Sequence, residues 1–318
     1  MTGMGGRWFV AGGAGFIGSH LVDRLVARGP GTVYDNLSVG RREFLARHLA
    51  SGAVTLEVAD LGDLERLVRA MAGHELVFHL AANPEARWGL ENPRLDLEQG
   101  TIVTHNVLEA MRRTGARRLV FASSGTVYGD TPELPKTETM QFSARSPYAA
   151  SKAAGEAYLS SFQASYGLET VSLRYFNVYG PRQSPRSLYA AVVPRFVDAV
   201  LRGQPPTIHG DGGQTRDFTF VGDVADALVR ASTAPRAVEG PMNIGGGRRI
   251  SILDLARAVA KIVGSSVVPH HEPTRVGDVR DSLADIRRAR ERLGWDPATT
   301  LDQGLVRVVE AARRLLAA

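Results

Sequence analysis

A short apolar segment, a glycine-rich turn and a helical pattern follow one another near the start of the chain. Residues 7–11 read Arg-Trp-Phe-Val-Ala, typical of a buried strand, and residues 12–18 read Gly-Gly-Ala-Gly-Phe-Ile-Gly. Helical periodicity follows over residues 19–27. Glycines let a backbone turn tightly and approach a pyrophosphate, whose negative charge suits the amino end of a helix. This order therefore predicts a parallel sheet with crossover helices and a dinucleotide site.

The second predicted strand ends at an acid, Asp35, which lies 23 residues after Gly12. A carboxylate at that place accepts hydrogen bonds from ribose hydroxyls and repels a 2′-phosphate. We therefore expect NAD rather than NADP as the cofactor. Arg41 and Arg42 could instead hold a 2′-phosphate, but charged side chains of a solvated loop are the simpler interpretation.

A second pattern supplies a hydroxyl, a phenol and an ammonium group. Residues 123–129 read Ser-Ser-Gly-Thr-Val-Tyr-Gly, and Tyr148 and Lys152 follow, four residues apart. On a helix that spacing places both side chains on one face. A nearby ammonium favours the phenolate and lowers the pKa of a tyrosine from its reference value of about 10. Such a base predicts oxidation of an alcohol, with Ser124, Tyr148 and Lys152 as the catalytic residues.

Strand and helix patterns alternate through the first half of the chain, which predicts an α/β fold of the Rossmann type with a doubly wound parallel sheet. After residue 176 the sequence becomes more irregular and richer in glycine and proline. We place an NAD-binding domain at 1–176 and a smaller, mixed substrate domain at 177–318, with part of 215–240 packing back on the first. Further strands are predicted at 31–35, 54–58, 76–80, 118–122 and 170–175, and helices at 64–71, 95–114, 148–166 and 193–202.

Composition excludes several other classes of protein. The 318 residues contain no cysteine, and the adjacent His270 and His271 lack the spacing of metal ligands, so no metal site is expected. The net charge is +5, but the basic residues are scattered among acids without a basic tail, and no nucleic-acid partner is expected. Because no apolar run reaches membrane-spanning length and residues 1–6 lack the features of a signal peptide, we expect a cytoplasmic protein without a membrane partner.

Together these motifs resemble those of the extended short-chain dehydrogenase/reductase family, and within it the nucleotide-sugar 4-epimerases of the UDP-galactose 4-epimerase type. The resemblance implies an NAD-dependent enzyme that inverts C4 of a UDP-hexose through a 4-keto sugar and regenerates NAD in each cycle. It also implies a homodimer formed through the helices near 95–114 and 148–166. Further family motifs extend the resemblance over almost the whole chain, at 35–40, 60–61, 173–182, 210–212, 215–218 and 275–280.

The resemblance also assigns residues to the two ligands. Arg216 and Arg275 are expected to clamp the diphosphate, since arginine is always charged and can bind it through two hydrogen bonds, and Asp278 is expected to accept from the uridine ribose. The residues expected to bind NAD are Gly12, Gly15, Phe16, Ile17, Gly18, Asp35, Asn36, Ser38, Gly40, Asp60, Leu61, Ala81, Ala82, Ser123, Tyr148, Lys152 and Tyr175. The residues expected to bind the UDP-sugar are Ser124, Gly125, Thr126, Asn177, Arg186, Val193, Arg216, Arg275, Asp278 and Ser282.

One missing acid favours epimerisation over related reactions. Similar dehydratases and decarboxylases carry a carboxylate just before the Val-Tyr-Gly of residues 127–129, where this chain has Gly125 and Thr126. Elimination would therefore lack its acid and base. Oxidation and reduction at a single carbon remain, which together constitute an epimerisation.

Four positions depart from the family pattern or bear on the choice of sugar. Ser282 stands where a bulky aromatic restricts relatives to glucose and galactose, so larger sugars would fit. Arg186 could bind a carboxylate, which makes UDP-glucuronate an alternative substrate and UDP-N-acetylglucosamine a weaker one. Gly125 is expected to leave space beside the sugar, and Gly100, where relatives have asparagine, to lose a polar contact and weaken its helix. Outside the epimerases, the alternatives are a dehydrogenase that releases NADH and a dinucleotide sensor.

Overall fold

The computed structural model describes residues 7–83, 86–184, 191–274 and 279–317, with backbone only at 86 and 87. Strands and helices alternate along the first half, as predicted. The strands are β1 (Trp8–Ala11), β2 (Gly31–Asp35), β3 (Val54–Val58), β4 (Leu76–His79), β5 (Arg118–Ser124), β6 (Glu169–Tyr175), β7 (Val178–Tyr179), β8 (Thr207–His209), β9 (Thr215–Asp217), β10 (Thr219–Phe220), β11 (Met242–Ile244), β12 (Arg249–Ser251) and β13 (His270–Glu272). The helices are α1 (Phe16–Leu25), α2 (Ala46–Ala50), α3 (Leu64–Met71), α4 (Ala86–Glu91), α5 (Pro93–Asp96), α6 (Val103–Thr114), α7 (Pro147–Tyr166), α8 (Val192–Leu201), α9 (Val221–Ala231), α10 (Ile252–Val263), α11 (Arg287–Leu293) and α12 (Leu301–Ala317).

The central sheet has seven parallel strands in the order β11-β6-β5-β4-β1-β2-β3. Its strand order reverses between β1 and β4, which lie side by side with Ala11 opposite His79. In doubly wound sheets ligands bind beyond the carboxyl ends of the strands at such a reversal. The predicted fold class is therefore confirmed, and the topology places the glycine turn at the expected position for a ligand.

Helices cover both faces of this sheet, which explains why its central strands β1 and β4 are buried and largely apolar. Successive residues of β1 point to opposite faces: Trp8 and Val10 pack in one buried cluster with α1 and α9, and Phe9 and Ala11 in another with α3 and α6. Each face of the sheet therefore has its own core.

Elements from the second half of the chain pack against the first half. Helix α9 packs in the core cluster of α1, and β11 extends the central sheet beside β6. A third apolar cluster joins α8, α10 and α12, and three two-stranded sheets complete this half: β7 with β10, β8 with β13, and β9 with β12. Strands from both sides of residue 176, β6 and β11, pair in the central sheet. The domain boundary at this residue therefore stays a prediction.

The predicted helix over 95–114 is present, but it is not α-helical throughout. The structure has α5, then a π-helical segment Leu97–Ile102, and only then α6. Gly100 lies in that segment against α7, where a Cβ atom would stand 2.5 Å from Ser151 Oγ. The missing side chain thus lets the segment approach the helix that carries Tyr148 and Lys152. The entropic cost expected of a glycine in a helix still applies, because residues 93–114 are helical without a break.

Candidate active site

The glycine turn is packed so tightly that it requires glycine at two positions. Gly12 has φ +82°, and a Cβ atom there would lie 2.6 Å from the backbone nitrogen of Ala81. At Gly18 a Cβ atom would collide with the carbonyl oxygen of Gly12. Close packing of the turn against α1 leaves the positive amino end of that helix, which begins at Phe16, facing the space beyond β1. This arrangement suits a pyrophosphate.

Asp35 ends β2 and lines the same space. Its carboxylate accepts hydrogen bonds from the backbone N–H groups of Ala14 (3.0 Å) and Leu37 (2.9 Å), while burial raises the pKa of the carboxyl. Each carboxylate oxygen keeps a further lone pair with which it can accept from a ribose hydroxyl. Neither Arg41 nor Arg42 is among the described residues that line the space. The geometry thus agrees with the expectation of NAD over NADP.

Replacing Asp35 by asparagine is expected to weaken NAD binding about 10- to 100-fold, because charge-assisted hydrogen bonds contribute about 1.5–3 kcal/mol. An amide also cannot accept from both Ala14 and Leu37 as a carboxylate does. Calorimetric titration of the NAD-free protein measures this. Asp254→Asn is a matched control, since Asp254 is an exposed acid in the first turn of α10. Equal NAD affinity of wild type and Asp35→Asn would contradict this role for Asp35.

The cavity at the strand ends has a volume of about 420 Å³. It brings together residues from the glycine turn, from the ends of β2, β4, β5 and β6, and from α7. Of the predicted residues, those that line it are Gly12, Gly15, Phe16, Ile17, Gly18, Asp35, Asn36, Ser38, Gly40, Leu61, Ala81, Ala82, Ser123, Ser124, Tyr148, Lys152, Tyr175 and Asn177. The sequence analysis missed Tyr34, Val39, Ala59, Leu80, Asn83, Gln99, Ala122, Val178 and Gln183.

Helix α7 delivers Tyr148 and Lys152 to this cavity from its first two turns. Ser146 caps the helix, since its hydroxyl accepts from the N–H of Ala149 at 3.1 Å, and Pro147 occupies the first position. Strand β5 delivers Ser124 to the same cavity from its last residue. The sheet edge and the helix start therefore bring the three predicted catalytic side chains together.

Lys152 is buried beneath the phenol. Its Nζ donates to the carbonyl of Ala122 at 2.7 Å and lies 5.7 Å from the centre of the Tyr148 ring. Burial lowers the pKa of Lys152 to about 8, although the negative charges of Asp96 and Glu156 oppose that shift. At neutral pH the side chain is therefore a cation that stabilises negative charge on the neighbouring phenol.

A buried polar network lies behind these residues. Glu156, one helical turn after Lys152, accepts from Ser123 Oγ (2.5 Å) and from two nitrogens of Arg174 (2.9 and 2.7 Å). Arg174 also donates to the hydroxyl of Tyr128 at 2.8 Å. Ser123 thus lines the cavity, but its hydroxyl proton is directed to Glu156. The sequence analysis missed Glu156, although its spacing from Lys152 places it on the same helix face.

The two residues that follow Ser124 lie outside the cavity, and their roles in binding the sugar stay predictions. A Cβ atom at Gly125 would lie 2.9 Å from ring carbons of Phe176, so this ring fills the space that a side chain at position 125 would need. Thr126 does not line the cavity; its hydroxyl and its N–H both donate to Ser124 Oγ, at 3.0 and 3.2 Å. Tight packing explains the glycine here better than room for a substrate does.

Other predicted binding residues lie outside the cavity. The carboxylate of Asp60 accepts from Asn36 (2.9 Å) and from the N–H of Gly62 (2.7 Å), Val193 is buried in the third apolar cluster, and Ser282 is half-buried. Arg216 donates to the carbonyl oxygens of residues 215 and 280. Their roles in binding stay predictions. Arg186, Arg275 and Asp278 lie outside the described residues.

The parallel sheet, the glycine turn and the grouping of Ser124, Tyr148 and Lys152 define a dinucleotide-dependent enzyme that acts on an alcohol. Residues 8–245 match the family described as the NAD dependent epimerase/dehydratase family, and the chain belongs to it. The resemblance stated from the sequence and the predictions of an enzyme with NAD as its cofactor are thereby confirmed.

Known proteins of this family resemble the chain over nearly its full length. It is 42% identical to the UDP-glucose 4-epimerase of Mycolicibacterium smegmatis over 310 residues, covering 96% of this chain and 98% of the relative. The crystal structure of the Thermotoga maritima UDP-glucose 4-epimerase with UDP-glucose is 37% identical, with a TM-score of 0.92 and coverage of 98% and 99%. The Thermus thermophilus UDP-glucose 4-epimerase complex with NAD is 40% identical, with a TM-score of 0.88 and coverage of 96% and 99%.

Proposed function

We propose that the chain is an NAD-dependent UDP-hexose 4-epimerase, which interconverts UDP-glucose and UDP-galactose through a 4-keto sugar. The observation that carries this proposal is the grouping of Ser124, Tyr148 and Lys152 in the cavity that the glycine turn and Asp35 also line. The similarity to UDP-glucose 4-epimerases over almost the whole chain supports the same reaction and the same substrate.

The residues of the cavity also fit NAD. The hydroxyl of Tyr175 is buried and has no hydrogen-bond partner among the described residues, although Tyr175 lines the cavity opposite Ser124 in the strand register. A ligand group at the strand ends would satisfy it. We infer that the glycine turn holds the pyrophosphate, Asp35 the adenosine ribose, and Lys152 the nicotinamide ribose.

The three catalytic residues divide the proton chemistry between them. Tyr148, as a phenolate, accepts the proton of the sugar 4-hydroxyl, and Ser124 donates a hydrogen bond to the oxygen that becomes the ketone. Lys152 stabilises the phenolate through its charge. Bound NAD supplies the hydride acceptor and then the hydride donor. After the keto sugar rotates in the cavity, Tyr148 returns its proton to the same oxygen, so both faces of C4 are served by one set of residues.

Elimination is disfavoured because no acid stands beside the catalytic serine. Asp35 is the only carboxylate among the described residues that line the cavity, and it lies at the end of β2, where it accepts from the N–H of Ala14 in the glycine turn. The ring of Phe176 occupies the space that a side chain at position 125 would need. The acidic groups that a dehydratase needs at neighbouring carbons are therefore missing from the described residues that line the cavity.

The uronate alternative receives no support from the described residues. Lys152 is the only cation among those that line the cavity, and it already donates to Ala122. We propose that Arg216, Arg275, Asp278 and Asn177 hold the UDP, with Val193 and Ser282 near it. Asn177 lines the cavity in the left-handed backbone region, at φ +28°, and donates from its side chain to the carbonyl of Asp217 at 3.3 Å.

We propose further that the protein is a cytoplasmic homodimer. The π-helical segment and α7 carry exposed large side chains, namely Leu97, Ile102, Tyr158 and Tyr166. His105 meets the ring of Tyr158 edge to face, with 5.7 Å between the ring centres. Large apolar side chains grouped on one face typically mark an interface. Light scattering of the purified protein measures the mass, and a monomer would contradict the proposal. No helix in the described part of the chain is long and apolar enough to span a membrane.

Nuclear magnetic resonance of the sugar products tests the function directly. The purified protein is incubated with UDP-glucose, UDP-glucuronate or UDP-N-acetylglucosamine while the absorbance of NADH is followed. We expect UDP-galactose from UDP-glucose with no net NADH. Net NADH without a 4-epimer would instead indicate a dehydrogenase, and bound NAD without turnover of any of the three would indicate a sensor. A preference for UDP-glucuronate or UDP-N-acetylglucosamine would contradict the proposed specificity for UDP-glucose.

A further inference from the structure

The hydroxyl of Ser124 accepts two hydrogen bonds from one neighbour. The N–H of Thr126 lies 3.2 Å from Ser124 Oγ and the hydroxyl of Thr126 lies 3.0 Å from it, and Thr126 is the donor in both. The oxygen of a serine has two lone pairs and one proton. Thr126 therefore occupies both acceptor sites of this oxygen.

The proton of Ser124 remains for a ligand. Among the described residues none accepts a hydrogen bond from it, and Ser124 lines the cavity. Had the hydroxyl of Thr126 accepted instead, the proton of Ser124 would have pointed away from the substrate. Bonds donated to an oxygen also polarise its own O–H group and strengthen it as a donor.

We propose that Thr126 is a positioning residue that fixes Ser124 as a hydrogen-bond donor to the reacting oxygen of the sugar. This inference rests on the proposed function, in which that oxygen gains ketone character as the 4-hydroxyl loses its proton. Thr126 bonds to Ser124 and does not line the cavity, so we assign it a role through Ser124 and not through a contact with the sugar. Its effect is therefore on the reaction step and not on substrate binding.

The test compares three substitutions of Thr126. Thr126→Val keeps the shape of the side chain and loses the hydroxyl. Thr126→Ala loses both the hydroxyl and the γ-methyl group, and Thr126→Ser keeps the hydroxyl. We expect the first two to lower kcat for UDP-glucose about tenfold, equivalent to about 1.4 kcal/mol, with KM changed less than twofold. Thr126→Ser should restore most of the loss. Because Thr126 is exposed, thermal unfolding should change little.

Thr139→Val is a matched control that removes another threonine hydroxyl. Thr139 bonds to the hydroxyl of Thr137 at 3.0 Å, and neither residue lines the cavity. We expect its kcat to equal that of wild type. An equal fall in kcat in this variant would show that loss of a surface hydroxyl is enough, and would overturn the assignment to Thr126.

A double-mutant cycle identifies the residue through which Thr126 acts. Once Ser124→Ala has removed the hydroxyl, adding Thr126→Val should change kcat less than twofold. A full additional loss in the double variant, or a rise in KM at constant kcat in Thr126→Val, would overturn the inference in favour of a direct sugar contact. Wild-type turnover is measured first: absence of the 4-epimer overturns the proposed function and this inference with it, whereas an active enzyme unaffected by Thr126→Val overturns only the inference.

Discussion

Replacement of Tyr148 by phenylalanine is expected to lower kcat for UDP-glucose by about 10²- to 10⁴-fold, the range typical for removal of a general base. The phenol is the proton acceptor that the cavity offers to the sugar hydroxyl, and Lys152 cannot take its place because its Nζ is held on the carbonyl of Ala122. Single-turnover measurements with NAD-loaded protein test this. Calorimetric titration with NAD should give an affinity within about threefold of wild type, since the aromatic ring is kept.

Tyr158→Phe is the control on the same helix. Tyr158 lies about three turns further along α7. It is exposed, and its ring meets that of His105 edge to face. The same chemical change there should leave kcat unaltered. If Tyr148→Phe retained more than a tenth of the wild-type kcat, another group would have to accept the proton, and the assignment of the base would be wrong.

The parts of the fold that the sequence predicted well are those that local patterns specify. The bounds of β3 and α3 match the prediction, because Val54–Val58 alternates in the manner of a strand and Leu64–Met71 follows a capping acid, Asp63, which accepts from the N–H of Arg66. The glycine turn was likewise found from a motif whose glycines the packing requires. In these segments each residue's own conformational preference agrees with the final structure.

Features that depend on distant contacts were not predictable. The π-helical segment forms where Gly100 meets Ser151 of α7, a contact between residues 51 positions apart in the chain. In the same way, Gly125 faces the ring of Phe176 because β5 and β6 are neighbours in the sheet. A sequence pattern gives the residue types at such places but not their partners, so the contact of Gly125 with Phe176 could not be predicted.

The buried polar network is the clearest case of contacts that the sequence alone does not predict. Glu156 on α7 and Arg174 on β6 are respectively 8% and 3% exposed, and they form a bidentate ion pair that also holds Ser123 and Tyr128. Burial disfavours the charged guanidinium, but the bonds to Glu156 still raise the pKa of Arg174 above its ordinary value. The pair therefore fastens the catalytic helix to the strand beside Ser124.

Glu156→Gln is expected to destabilise the protein by about 3–5 kcal/mol, the usual cost of removing one partner of a buried pair and leaving the other charge uncompensated. The melting temperature should fall by on the order of 5 °C or more. Because Glu156 also helps to keep Lys152 protonated, its removal should lower the pKa of Lys152, and kcat should decline at a lower pH than in wild type. Thermal and urea unfolding, with pH profiles of kcat, measure both effects.

Glu109→Gln is the matched control for the stability effect. Glu109 on α6 also binds two arginines, Arg112 and Arg113, each at 2.8 Å. Both ion pairs lie at the protein surface, where such pairs contribute only about 0–1 kcal/mol to stability. We expect its melting temperature to stay within about 2 °C of wild type. Equal losses of stability in the two variants would show that the buried Glu156–Arg174 pair stabilises the protein no more than an exposed pair does. Loss of stability without a change in the pH profile would show that Glu156 supports the fold and leaves Lys152 unaffected.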